Sequence, residues 1–196
     1  MTQVQGRSRA AALPLEERRA AIVEATLPLF LEQGGAITTK EIAQAAGIAE
    51  GTIFRVFEDK TALLDAVMEA ALDPAPTELA IGAIDRTLPF EDRLVAAVEI
   101  LRQRVLYVFN VLTLASGTTR GPAKQRSTDL PALVAIFESE VDHLSRAPAD
   151  AARVLRGLTF ACVHPAFGTD APLSSRDIVA VLLDGIRRVD TGAPTC

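Results

Sequence analysis

Between residues 16 and 33 the apolar positions Ile22, Ala25, Thr26, Leu29 and Phe30 recur at i, i+3, i+4, i+7 and i+8. That spacing lays side chains along one face of an α-helix. Pro28 lies inside the run, removes one intrahelical hydrogen bond and predicts a bend. Gly34 and Gly35 are the expected stop, since glycine tolerates the left-handed backbone that closes many helices. Thr38-Thr39-Lys40-Glu41 has the form of a capping box, with Thr38 as N-cap and Glu41 three residues on. The helix it opens must be short, because Gly47 follows within about two turns. A second short helix is expected over 50–56, and Asp59 can cap a third through Leu63, Leu64, Val67 and Ala71.

Asp73-Pro74-Ala75-Pro76 is the strongest punctuation in the chain and predicts a boundary. Beyond it the helical period continues. Phe90, Leu94, Val98, Leu101, Val105, Val108 and Leu112 mark a long helix over 90–115, followed by a polar loop over 116–128. Leu130, Leu133, Val134, Phe137, Val141 and Leu144 mark another over 130–146, and helices over 149–163 and 174–189 complete the pattern. The expectation is an all-α protein: a tail over 1–14, a small three-helix domain over 15–74 and a larger helical domain over 75–196.

Composition narrows the class. Hydrophobic residues make up 49% of the 196, with no tryptophan, and alternating β-branched runs are nearly absent. No apolar run approaches the roughly 20 residues needed to cross a bilayer, and the first residues lack the apolar core of a secretory signal. Cys162 and Cys196 supply no disulfide framework, so a reducing cytoplasmic setting is expected. The net charge of −5 argues against nonspecific polyanion binding by the whole molecule. Residues 1–60 are close to balanced, however: Arg7, Arg9, Arg18, Arg19, Lys40, Arg55 and Lys60 stand against eight acidic residues. A local nucleic-acid-binding surface is therefore permitted.

Two short helices joined by a glycine turn and flanked by longer ones fit a helix-turn-helix, with Ile42, Ala43, Ala46, Ile48, Ile53 and Phe57 as its small core. The same pattern fits a plain helical hairpin. The residues Ala25, Leu29-Phe30, Gly34, Thr38-Thr39, Ile42-Ala43, Ala46-Gly47-Ile48, Gly51-Thr52-Ile53-Phe54, Phe57, Lys60 and Leu63-Leu64 carry a more specific signal. From about Arg19 to Val67 the chain resembles the DNA-binding domain of TetR-family transcriptional repressors. That resemblance implies a helix-turn-helix over about 38–57. Thr38, Thr39 and Lys40 would then stand at the start of its first helix, and Ala49, Glu50, Gly51 and Thr52 would open the recognition helix. Arg55 would meet guanine or phosphate, and Lys60 a phosphate. Arg7 and Arg9 would be either a basic arm or merely a soluble tail. Three departures from the family pattern weaken individual contacts: Ala49 stands where a capping serine is common, Phe54 replaces a tyrosine whose hydroxyl often meets phosphate, and Val56 stands where histidine is frequent.

The resemblance further implies that the larger domain binds a small-molecule effector and forms a homodimer on double-stranded operator DNA. Pocket candidates are Tyr107, Asn110 and neighbouring Phe109 and Thr113 on one helix, with Phe137, Glu140 and His143 on another. The plainer reading is core packing for Tyr107 and Phe109, and a solvated face for Glu140 and His143. Leu155, Leu158 and Cys162, with Ile178, Leu182 and Ile186, are the candidates for the dimer interface. Cys162 and His164 offer too sparse a set for a structural zinc site, and no nucleophile–base pair or phosphate-cradling loop appears. No cofactor, metal or membrane partner is expected. The expected role is a dimeric repressor released by an inducer; a helical protein-docking module, or an activator without a small-molecule ligand, is the alternative.

Overall fold

The computed structural model describes residues 14–119, 130–167 and 173–187. Arg7, Arg9, most of the 116–128 loop and Cys196 lie outside these residues. Among the described residues the architecture is all helical, with one isolated antiparallel bridge between Leu144 and Arg187 and no strand. The chain divides into two compact units, one of residues 1–71 with 114–123, the other of 72–113 with 124–196. The division thus falls three residues before the end of the 15–74 span read from the prolines, and a short stretch from later in the chain groups with the first unit.

The first unit holds α1 (Leu15–Gln33), α2 (Thr39–Ala45), α3 (Glu50–Ile53) and α4 (Lys60–Ala71). Helix α1 runs unbroken through Pro28; the carbonyl of Glu24, which loses its donor there, belongs to an exposed residue that water can serve. Thr26 is fully buried, and its hydroxyl donates to the Ile22 carbonyl at 2.6 Å, so burial leaves no unmatched polar group. Ile22 and Phe30 on α1, Ile37, Ile42 on α2, Ile53 on α3, Phe57, and Leu63, Leu64 and Val67 on α4 are all essentially inaccessible to solvent. At the end of α1, Gly34 has φ +60°, and a β-carbon there would press on the Leu114 carbonyl at 3.1 Å. At Gly35 the conflict is sharper, because a β-carbon would lie 2.1 Å from the Thr118 side chain. The pair is needed for close packing as well as for chain reversal.

The second unit holds α5 (Ala75–Gly82), most of α6 (Phe90–Ala115), α7 (Pro131–Glu138), α8 (Pro148–Val163) and α9 (Ser175–Ile186). The prolines at 74 and 76 do not merely end α4. They also start α5, a helix the sequence pattern does not reveal, since proline is tolerated in a first turn whose N–H groups have no intrahelical partner. Helix α7 ends at Glu138, well short of 146, and the chain continues as a 3-10 turn over Val141–His143. Helix α9 opens with a capping box: Ser174 accepts from the Asp177 N–H, and the Asp177 carboxylate accepts from the Ser174 N–H and hydroxyl. Leu94, Val98, Leu133, Phe137, Leu155, Ile178 and Leu182 form the centre of this unit's core.

Phe30 is wholly buried among the helices that position α2 and α3. Phe30→Ala is expected to cost about 3–5 kcal/mol, the usual range for emptying a core aromatic site. A urea titration followed by circular dichroism checks this; a midpoint shift within error would show that the site collapses without loss.

Candidate nucleic-acid interface

Helix α2 is seven residues long and α3 only four, so neither is stable by propensity alone. Their ends are fixed chemically. At the start of α2 the Glu41 N–H donates to the Thr38 hydroxyl oxygen at 3.2 Å, while the Glu41 carboxylate accepts from the Thr38 N–H and hydroxyl, each at 2.7 Å. At its end the Ile48 N–H donates to the Ala43 carbonyl at 3.0 Å and the Gly47 N–H to the Gln44 carbonyl at 3.2 Å. This is the Schellman arrangement, with Gly47 in the left-handed conformation at φ +65°. Ile48 is thereby turned back toward α2, and Ala49 becomes the extended residue before α3.

Helix α3 has no side-chain N-cap, as the alanine at 49 predicts. It is regular only over Glu50–Ile53, and the expected extension to 56 takes the form of tight turns. The Arg55 N–H donates to Thr52 and the Val56 N–H to Ile53, both i to i−3 bonds, before Phe57 bonds back to Ile53 at 2.8 Å. Ile53 and Phe57 face inward and are buried, and the guanidinium of Arg19 on α1 lies over the Phe57 ring, 4.5 Å from its centre. Arg19 was legible in the sequence only as a helix cation; its stacking role needs the three-dimensional contact.

The opposite face is outward. Thr38, Lys40, Ala49, Glu50, Gly51, Phe54 and Arg55 are exposed, and Thr39 and Thr52 are half-exposed. Phe54 is 50% exposed, unusual for so large an apolar ring. Nothing in the chain comes within 4 Å of where a Gly51 β-carbon would stand, so the space in front of this residue is open. The Arg55 guanidinium has no hydrogen-bond or ion-pair partner among the described residues. Glu50 does have one: the Thr39 hydroxyl donates to its carboxylate at 2.5 Å, tying the start of α2 to the start of α3. Lys60 is half-buried at the start of α4 and donates to the Gly35 carbonyl at 2.8 Å, while the Asp59 carboxylate caps α4 by accepting from Ala62 at 2.6 Å. One of the three ammonium donors of Lys60 is therefore used within the fold.

The candidates in the second unit do not converge. Phe137 is fully buried and meets Phe90 edge to face at 5.9 Å. Asn110 is exposed, and Tyr107 is half-buried beside the Arg104 guanidinium. His143 is exposed next to Glu140 and lines a shallow cavity of about 470 Å³ with Glu91, Asp92, Arg176 and Arg187. A larger cavity of about 650 Å³ lies between α5, α6 and α8, and of the pocket candidates read from the sequence Phe109 alone lines it. Among the dimer candidates, Leu155, Ile178, Leu182 and Ile186 are buried in this unit's own core, with Leu158 and Cys162 partly so. The large apolar residues that α8 and α9 leave outside are Val154, Phe160 and Val181. His164 stands among Phe109, Phe160 and Phe167, and among the described residues no cluster of three metal-ligating side chains occurs. No helix of the described residues is long and apolar enough to cross a membrane.

A seven-residue helix, a Schellman turn and a short outward helix, supported by two longer helices, define a helix-turn-helix unit. Residues 22–67 match the model of the bacterial regulatory proteins of the tetR family. An HTH-type transcriptional regulator of Staphylococcus aureus strain MRSA252, SAR0097, is 42% identical over 55 residues, which is 26% of this chain and 29% of that protein. The chain thus spans less than a third of the curated relative it matches. Beyond that segment the likeness is one of fold. A TetR-family regulator from Mesorhizobium loti superposes with a TM-score of 0.58 at 13% identity, over 90% of this chain and 100% of that one. A TetR/AcrR-family regulator from Thermobifida fusca gives 0.56 at 21% identity, over 88% and 100%. Residues 22–67 thus carry the tetR-family match, and over the rest of the chain the likeness to TetR regulators is one of fold.

The capping carboxylate gives this unit a pH dependence. The Glu41 carboxyl is held below its ordinary value of 4.5, first by the Thr38 N–H, then by the Thr38 hydroxyl, with a smaller contribution from the charge of Lys60. Because the folded value is depressed, the contribution to stability is complete above 4.5 and is lost as pH falls through the lower folded value. Glu41→Gln is expected to flatten this part of the acid-unfolding curve while changing little at neutral pH beyond the weakened cap. Parallel thermal melts of both proteins across the acid range measure it, and identical slopes would remove the capping carboxylate as the cause.

Proposed function

We propose that the protein is a cytoplasmic, sequence-specific DNA-binding regulator that acts as a dimeric repressor. A small molecule bound in the second unit changes the spacing of two DNA-reading units and releases a palindromic operator. The observation that carries the reading is the outward face of α3: exposed Ala49, Glu50, Gly51, Phe54 and Arg55, on a helix whose Ile53 and the following Phe57 are fixed inside. A four-residue helix presented in this way has the size to enter a major groove about 12 Å wide. Gly51 lets the backbone approach the groove wall, Arg55 can reach guanine or phosphate, and the N–H groups at the start of α2, with Thr39 and Lys40, can face phosphate. Lys60 adds positive charge at the start of α4 through the two ammonium donors that Gly35 does not use.

Dimerisation follows from the DNA problem. One short helix with few cations binds weakly, whereas two copies about 34–36 Å apart read successive major grooves of a palindrome. The outer faces of α8 and α9 favour such a pairing. Val154 and Val181, the latter 54% exposed, stand among exposed Ala161, Ala180 and Gly185, small residues that let helices approach closely. The part of these helices that meets a second copy is accordingly this outer stripe, with Leu158 and Cys162 at its margin.

The reading is tested by recovering, from a random pool of duplexes, the DNA that the purified full-length protein retains. A two-fold symmetric motif is expected, with affinity falling steeply as salt rises, by a log–log slope of about −0.9 per phosphate neutralised. Arg55→Ala is expected to weaken binding roughly tenfold to a hundredfold, the range for losing one bidentate base contact or its phosphate equivalent. Retention of no motif, or a flat salt dependence, would leave the helix-turn-helix without a DNA role.

A further inference from the structure

The cavity of about 650 Å³ in the second unit falls within the size range of small-molecule sites. Its walls come from three helices. Leu101, Val105, Val108, Phe109 and Leu112 of α6 and Phe160 of α8 supply the apolar surface. Leu112 and Phe160 remain 44% and 46% exposed, so the chain itself leaves much of this surface uncovered. Against this wall stand Arg104, Arg153 and Arg156, together with His164, and among the described residues no aspartate or glutamate lines the cavity. The spacing of Arg153, Arg156 and Phe160 puts them on one face of α8 toward the cavity, and His164, the extended residue that ends the helix, lines it as well.

We propose that this cavity binds an amphipathic organic anion, a carboxylate carrying a hydrocarbon or aromatic body, with the head on the arginines and the body along the α6 wall. This deepens the reading of the second unit as a sensor by naming the class of effector. A cation of the same shape would face three guanidiniums with no carboxylate among the described residues of the wall. A neutral body would fill the apolar part but bring no charge to meet the guanidiniums. An anion satisfies both halves of the surface, and guanidinium offers paired donors that match a carboxylate.

The cations are held in place by the fold. Arg104 donates to the Leu72 carbonyl at 2.6 Å and lies beside Tyr107. Burial depresses its pKa below the ordinary value, while Tyr107 and Asp73 favour the charged form. An incoming negative charge acts in the same direction as those two partners. Arg153 pairs with Asp150 at 2.7 Å, but neither Asp150 nor Asp73 lines the cavity. His164 has its ring edge-on to Phe109, with centres 4.9 Å apart, and its Nδ1 accepts from the Ala166 N–H at 3.2 Å. In that tautomer Nε2 carries the proton and can donate to an anionic head group.

Isothermal titration of the full-length protein, without DNA, with octanoate, 1-octanol and octylammonium at neutral pH tests the proposal, since the three probes share a tail and differ in head charge. Octanoate is expected to bind at least about tenfold more tightly than octanol, as a charge-assisted hydrogen bond in a half-buried site implies, and octylammonium most weakly. Arg156→Gln and, separately, Arg104→Gln are expected to erase most of the advantage of octanoate while octanol binding stays within about twofold. Equal binding of octanoate and octanol, tighter binding of octylammonium, or no heat from any probe overturns the proposal. So does an unchanged octanoate preference in both folded variants. Because the titration contains no DNA, its outcome stands apart from the operator experiment. Octanoate that binds but leaves retained DNA unaffected would sink the inducer role and keep the site.

Discussion

A helix of four residues cannot stand by itself, and the geometry of the DNA-facing unit rests on how that problem is solved. Nucleating one helical turn is disfavoured by about a thousandfold, on the order of 4 kcal/mol. Burying Ile53 and Phe57 returns about 2 kcal/mol each, which roughly offsets it. The outward angle of α3 is therefore set by what these two side chains insert into. Phe30, Ile42 and Leu63 are buried in the same unit, and the Arg19 guanidinium lies over the Phe57 ring. Capping then fixes the ends: Thr38 with Glu41, the turn at Gly47, and Asp59 before α4. Each device acts within a few residues, so the presented face can vary without disturbing the frame that presents it.

Those local devices are also why this region could be read so far in advance. A capping box, a glycine with φ above zero and an acidic N-cap each depend on neighbours within about four residues in sequence, and all three occur where their residues predicted. Legibility fails where the deciding contact is distant. Pro74 and Pro76 read as an ending because nothing nearby says that Thr77 and Ile81 will be buried and so complete a helix. Leu155, Ile178, Leu182 and Ile186 were apolar enough to suggest an interface, yet the same property suits a core, and they are buried within their own unit. Period alone cannot distinguish the face that meets α7 from the face that meets solvent. The cavity arginines show the converse. Arg153 and Arg156 read as ordinary solvated charges until α6 and α8 place them against one apolar wall.

The electrostatics of the outward face are economical. Glu50 at the start of α3 favours the helix dipole but would oppose a phosphate, and the Thr39 hydroxyl holds its carboxylate toward α2. Lys60 is similarly divided, one donor closing the Gly35 turn and the rest of its charge available outward. With Ala49 and Phe54 supplying no polar contact, Arg55 is the one exposed guanidinium on the short helix or its following turn. In the proposed DNA reading so few cations bind weakly unless two copies act together, and the apolar outer stripe of α8 and α9 belongs to that proposal as much as the short helix does.

The two units use arginine in opposite ways. On the DNA-facing side Arg55 stands exposed, where its attraction for phosphate is long-ranged but screened by salt within about 8–10 Å. In the second unit Arg104 is half-buried against an apolar wall, where screening is weaker and an ill-matched ligand leaves a desolvated charge. The first placement suits a search along a polyanion, in which binding must be reversible and sensitive to conditions. The second suits selection among small molecules of similar shape, because discrimination by head-group charge grows as water is excluded. The proposed function, holding DNA loosely and choosing an effector sharply, needs both placements, and the sequence supplies them with the same side chain in different surroundings.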